Sequence, residues 1–210
     1  MRFVSMLFCL LAAAAVIAQG VEDPASPAPE MRRCINLGNM LEAPNEGDWG
    51  LIVREEWLPI IAEAGFDSVR IPVRWSAHAA EDAPYTIDPD FLARVDQVIS
   101  WALDAGLNVL LNVHHYEEIH QDPDGHAERL LGLWQQLAPH YQDYPAALRF
   151  EVMNEPFGQL SAERWNEIQV AALEIIRASN PTRVVVLGGV EWNSFRQLPF
   201  IELPEDRANL

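Results

Sequence analysis

The chain has 210 residues, 50% of them hydrophobic, and a formal net charge of −17. That is enough for one packed domain. A surface so acidic repels phosphate backbones and anionic lipid, which argues against nucleic acid and membrane surfaces as partners; a neutral polymer meets no such barrier.

At the N-terminus Arg2 precedes an apolar run from Phe3 to Ile17, and Val16 and Ala18 suit signal peptidase. This pattern predicts a secretory leader over 1–18, cleaved after Ala18, and hence a secreted protein, extracellular or periplasmic. An uncleaved anchor is the alternative, but the run is short against the ~20 apolar residues a bilayer-spanning helix needs. Cys9 lies inside the leader, so Cys34 alone remains and no intramolecular disulfide is expected. Residues 19–32, with the Pro-rich stretch VEDPASPAPE, read as a flexible linker. Residues 33–210 form the remaining unit.

From Cys34 onward the chain alternates. Short β-branched runs end near Gly38, Val73, Val113, Met153 and Gly188, and amphipathic stretches fill the gaps at about 51–64, 88–105, 125–142 and 161–179. Asp88-Pro89 is an N-cap followed by proline in the first turn. Ser161 caps the fourth helix, Gly65 and Gly106 end helices, and Asn180-Pro181 stops the last one. The strands VRIPV, NVLLNV and RVVVLG show no sustained alternation, as in parallel strands covered on both faces. Such a βα repeat is either an open doubly wound sheet or an eight-stranded barrel. The first strand is followed by Gly38-Asn39-Met40-Leu41-Glu42, which lacks a phosphate-binding glycine pattern. Polar and aromatic residues gather instead after every strand. The expected fold is therefore α/β, a (β/α)8 TIM barrel truncated after about five βα units. An isolated partial barrel would expose two strand edges and be prone to aggregate.

Leu148 to Pro156 delivers Asn154-Glu155 at the end of an apolar strand. Hydrophobic barrel walls would favour the neutral form of Glu155 and suit it to protonate a leaving oxygen. Asn154 could donate to a neighbouring sugar hydroxyl. The bland alternatives for Glu155 are a helix cap or an arginine pair. Arg70, mid-strand, needs a carboxylate, either a structural partner such as Glu151 or a catalytic group. His114-His115-Tyr116 follows the third strand. Adjacent residues diverge in a strand, so hydrogen bonding to substrate suits the histidines better than a metal completed by Glu117, Glu118 or His120. Trp49, Trp75 and Trp192 are placed to stack on sugar rings, whereas Trp57, Trp101, Trp134 and Trp165 fall in helices and read as core. In the acidic first loop, with Glu42, Glu46 and Asp48, only Glu42 is a candidate substrate contact.

Together, INLGNMLEAPNEGDWG at 35–50, AGFDSVRIPVRWSAHA at 64–79, LNVHHYEE at 111–118, FEVMNEPFG at 150–158 and GGVEWNS at 188–194 resemble family 5 of the glycoside hydrolases, the cellulase family, and are similar to its thermostable endo-β-1,4-glucanases. The resemblance implies a retaining hydrolase of β-1,4-glucan that needs no cofactor or metal, is monomeric when full length, and takes a polysaccharide as partner. It makes Glu155 the acid/base, Asn154 the 2-hydroxyl contact, Arg70 the residue orienting the nucleophile and His114 the family's conserved histidine. It makes His115, Asn39 and Glu42 sugar contacts nearer the cleft; Trp192, by its stacking face, and Tyr116, at the third strand end, are further candidate substrate contacts. The family's nucleophile is a glutamate after the seventh strand, and a His-x-Tyr element follows the sixth. Neither is in this chain, which reads as an N-terminal fragment, inactive alone. Glu191 is the one late carboxylate that could stand in, and it lies on the neighbouring strand. A β-mannanase and a non-catalytic carbohydrate-binding protein are the alternatives. Two departures, Cys34 at a glycine position and Arg149 in an otherwise apolar strand, bear on packing.

Overall fold

A computed structural model describes residues 28–204 and 209–210. The expected leader lies outside the described residues, as does most of the expected linker. The linker's last residues are anchored to the sheet: the Arg32 amide donates to the Asp67 carboxylate at 3.0 Å, and Asn108 Nδ2 donates to the Glu30 carbonyl at 3.4 Å.

Five strands form the sheet: β1 (Cys34–Asn36), β2 (Ser68–Ile71), β3 (Asn108–Asn112), β4 (Leu148–Glu151) and β5 (Val185–Val186). All pairings are parallel, and the spatial order is β1-β2-β3-β4-β5. A doubly wound sheet reverses direction at a switch point. No reversal occurs here, so these are consecutive βα units of a barrel wall.

The α-helices of five or more residues that flank the sheet are α1 (Trp57–Glu63), α2 (Pro89–Asp104), α3 (Glu117–Gln121), α4 (Pro123–His140) and α5 (Ala162–Ser179), and short turns of helix lie at Trp75–His78, Val190–Asn193 and Phe195–Phe200. Asp88 caps α2 by accepting from the Asp90 amide at 2.9 Å, and Ser161 caps α5 by accepting from the Arg164 amide at 3.2 Å. α4 begins two residues before the expected start, because Asp122-Pro123 repeats the cap of α2; Asp122 accepts from the Gly125 amide at 3.0 Å. α1 begins six residues late. Its expected first turn is held outside the helix, with the Val53 amide on Glu46 and the Val53 carbonyl on Arg94.

β2 and β4 alternate, whereas β3 and β5 carry consecutive apolar residues, Val109 to Leu111 and Val185-Val186. Val69, Ile71, Val109, Leu111, Leu148, Phe150 and Val185 form one buried row, in register across β2 to β5. The opposite face carries Asn36, Ser68, Arg70, Asn108, Asn112, Arg149 and Glu151, with Leu110 and Val186 among them. One face thus supplies the core and the other a polar interior. Arg149 belongs to that interior, is buried, and has its charge disfavoured by desolvation.

Three buried tryptophans tie the outer layer to strand ends. The indole N–H groups of Trp75, Trp134 and Trp165 donate to the carbonyls of Asn112, Val152 and Gly188 at 3.0, 3.1 and 2.7 Å. Trp75, expected as a stacking platform, is therefore a core residue with no exposed face. Among the described residues no helix is long and apolar enough to cross a membrane.

Candidate active site

The residues just beyond the strands have an unusual backbone. Asn39, His115, Glu155, Glu191 and Trp192 take φ of 65, 48, 44, 54 and 59°. Non-glycine residues in this left-handed region are disfavoured unless their surroundings hold them. Here they follow β1, β3, β4 and β5, on the carboxyl edge of the sheet where barrel chemistry is built.

Arg70 organises the polar face. Its Nε and Nη2 donate to Oε2 and Oε1 of Glu151 at 2.6 and 2.7 Å, a two-point pair across β3. Nη2 also donates to Asn154 Oδ1 at 2.8 Å, and Nη1 to Asn36 Oδ1 at 3.1 Å. The guanidinium therefore has Glu151 as its carboxylate. Charge-assisted, two-point bonds of this kind fix orientation tightly. With its oxygen held by Arg70, the Asn154 amide is left with its NH2 to donate elsewhere.

His114 sits beside this network and is buried. Burial first, then the nearby charges of Arg70 and His115, push its pKa down to about 3, so the ring is neutral. Asn112 Nδ2 lies 3.0 Å from Nδ1 and donates to it, which leaves the imidazole proton on Nε2. His115 is less buried. Its ring meets His114 edge-on at 4.6 Å and Trp49 at 5.6 Å, and Nδ1 lies 3.7 Å from Glu117.

Glu155 is exposed on the rim. It stands four positions past Glu151, the last residue of β4, and no hydrophobic enclosure of the expected kind surrounds it among the described residues. Its carboxyl makes no ion pair or side-chain hydrogen bond with any described residue. It does not cap α5, a task that falls to Ser161. The bland alternatives for Glu155 therefore have no support in the geometry.

Other expected contacts divide. Trp49 is 44% and Trp192 60% exposed, at the β1 and β5 ends of the edge. Trp192 stacks on Phe157 at 5.2 Å, beside a groove of about 490 Å³ lined by Ser161, Glu191 and Gln197 among others. Asn39 is exposed. Two candidates are corrected. Tyr116 has no exposed surface; its hydroxyl lies 3.1 Å from His126 Nδ1 and its ring 5.6 Å from the Arg129 guanidinium, because the turn after His115 sends it toward α4. Glu42 is 4% exposed, and its carboxylate accepts from the Asn39 and Met40 amides, so it shapes the first loop from within. Glu46 is likewise bound, to Arg94 at 2.8 Å.

Sequence reasoning did not single out Asn36, Asn112 or Phe157. Asn36 and Asn112 had a signal in the two-residue period, which puts Asn112 on the side of His114 and Asn36 beside Arg70. Phe157 had none.

A family model described as Cellulase (glycosyl hydrolase family 5) matches residues 39–210. Endoglucanase H of Acetivibrio thermocellus is 42% identical over 184 residues, covering 88% of this chain and 20% of that protein. Endoglucanase B of Ruminococcus albus is 36% identical over 203 residues, covering 83% of this chain and 49% of its own. Among solved structures, Thermotoga maritima Cel5A with mannotriose is 48% identical with a TM-score of 0.83, covering 85% of this chain and 58% of that one. The same protein with cellobiose is 49% identical, also at 0.83, with the same coverage. The chain thus spans between a fifth and about half of the curated relatives it matches.

Proposed function

The chain belongs to the cellulase family, glycosyl hydrolase family 5, and on that premise we propose that its protein is a secreted retaining hydrolase of β-1,4-glucan with Glu155 as the acid/base. The observation that carries this is a Glu155 carboxyl that no described residue engages, next to Asn154, whose amide Arg70 orients at 2.8 Å. A proton donor for a leaving oxygen must be reachable and not committed to a structural partner.

In this mechanism Glu155 protonates the glycosidic oxygen and later takes a proton from water. Asn154 Nδ2 donates to the 2-hydroxyl beside the reacting carbon, where hydrogen bonds strengthen in the transition state. Neutral His114 offers Nε2–H to substrate. Arg70 holds a negative carboxylate environment in place. Trp49 and Trp192 supply aromatic faces on either side, with His115 and Asn39 as nearer polar contacts. The attacking carboxylate stands ~5–5.5 Å from the acid in a retaining site, and the family resemblance puts it after a seventh strand. The same set acting on β-mannan is the second reading, favoured by the mannotriose complex of the Thermotoga relative.

In the full-length gene product, Glu155→Gln should lower turnover of barley β-glucan by about 10²–10⁴-fold with little change in melting temperature. Turnover close to wild type would reject the assignment. Parallel assays on glucan and mannan decide between the two substrates.

A further inference from the structure

The loop that carries Glu155 is held from the side of the third strand by one buried residue. His120, on α3, is 4% exposed. Its Nδ1 accepts from the Phe157 amide at 3.4 Å, and its carbonyl accepts from the Gln159 amide at 2.8 Å. Its ring lies 4.0 Å from the Phe157 ring, tilted by 30°. Phe157 in turn stacks on Trp192, and the Trp192 amide donates to the Pro156 carbonyl at 3.1 Å. Three rings thus run from the third strand end across the fourth to the fifth.

Gly158 shows how close this approach is. Its φ is 71°, and a Cβ there would stand 2.5 Å from the His120 carbonyl oxygen. On the opposite flank, the Asn193 amide oxygen, in its hydrogen-bonded orientation, accepts from the Glu155 amide at 3.3 Å. Glu155 itself has the disfavoured φ of 44°, a conformation that persists only when neighbours hold it.

We infer that His120 is a positioning residue for the acid/base loop: through the Phe157 amide and ring it sets where the Glu155 carboxyl stands. The inference rests on the assignment of Glu155 as proton donor. Only an imidazole with an unprotonated Nδ1 can accept from Phe157, and burial favours the neutral ring in which such a nitrogen exists. Glu117, the Phe157 backbone and Glu118 oppose this effect, and the charge of His115 adds to it.

The test uses kcat/KM of the full-length gene product on two substrates. Cellotetraose needs its leaving oxygen protonated. A 2,4-dinitrophenyl cellobioside does not, because its leaving group departs as a stable anion. His120→Phe keeps a ring but removes the acceptor. It should lower kcat/KM on cellotetraose about tenfold and on the activated substrate less than about twofold. His120→Asn, whose Oδ1 stands near the site of Nδ1, should recover most of the loss. Equal losses on both substrates, no loss on cellotetraose, or no recovery with asparagine would each overturn the inference. Glu155→Gln run alongside separates the two claims. If it keeps cellotetraose hydrolysis, the acid/base assignment fails; if it loses about hundredfold or more, the His120 result stands on its own.

Discussion

His114 shows how a buried titratable side chain links the site to stability. Its pKa in the fold is about 3 against an ordinary 6.5, chiefly through burial and then through Arg70 and His115. Between those values the unfolded chain binds a proton that the fold refuses. Stability therefore falls as pH drops from about 6.5 toward about 3, by at most about 1.4 kcal/mol per pH unit from this group, and is level above that window. Urea unfolding at a series of pH values should show a steeper slope for the native protein than for His114→Asn. Identical slopes would contradict the burial of a neutral ring. The same residue marks what the sequence could convey. The pair His114-His115 announced a polar strand end, and the two-residue period separated their directions. That Tyr116 leaves the site for Arg129 and His126 was hidden, since it depends on the turn made at His115, whose φ of 48° no local pattern demanded.

The strands stood out as apolar runs, and α1, α2 and α5 were marked by Gly65, by Asp88-Pro89 with Gly106, and by Ser161, whereas the Asp122-Pro123 start of α4 was read two residues late. Strand ends were read one or two residues too far. Beyond the ladders single bonds continue, from the Leu37 amide to the Arg70 carbonyl at 2.9 Å and from the His114 amide to the Val73 carbonyl at 2.8 Å, so extended character outlasts the regular pairing. α3 was not expected; at five residues it is too short to show a hydrophobic period. The opposite end of the sheet has its own device. Arg183 is buried, and its guanidinium donates to the carbonyls of Tyr141, Tyr144, Pro145 and Leu148 at 2.7 to 2.9 Å. It joins the end of α4, the following turn and the start of β4, with no carboxylate among the described residues. Arg183→Met strips these carbonyls of their donor and should cost about 3 kcal/mol in denaturant unfolding. KM for glucan should stay unchanged, because the clamp lies at the amino end of β4. A loss of substrate affinity without a loss of stability would contradict this division of the sheet.

Across the whole molecule the two faces of one sheet divide the work. The helix-side row is apolar and gives the core, while the interior row collects Asn36, Arg70, Asn112 and Glu151 beneath a carboxyl edge of strained residues. That edge runs from Trp49 at the first strand to Trp192 at the fifth, with the Arg70 network, His114 and Glu155 between, an arrangement suited to a long neutral polymer and compatible with a net charge of −17. The central claim is that Glu155 donates the proton and does not attack the sugar, and stereochemistry tests it most directly. The full-length Glu155→Ala variant, given a 2,4-dinitrophenyl β-cellobioside and sodium azide, should form β-cellobiosyl azide. Azide would enter from the face the leaving group vacated, into the space left by the missing carboxyl. Formation of the α-azide would make Glu155 the nucleophile, and undiminished glucan hydrolysis without azide would remove it from the chemistry.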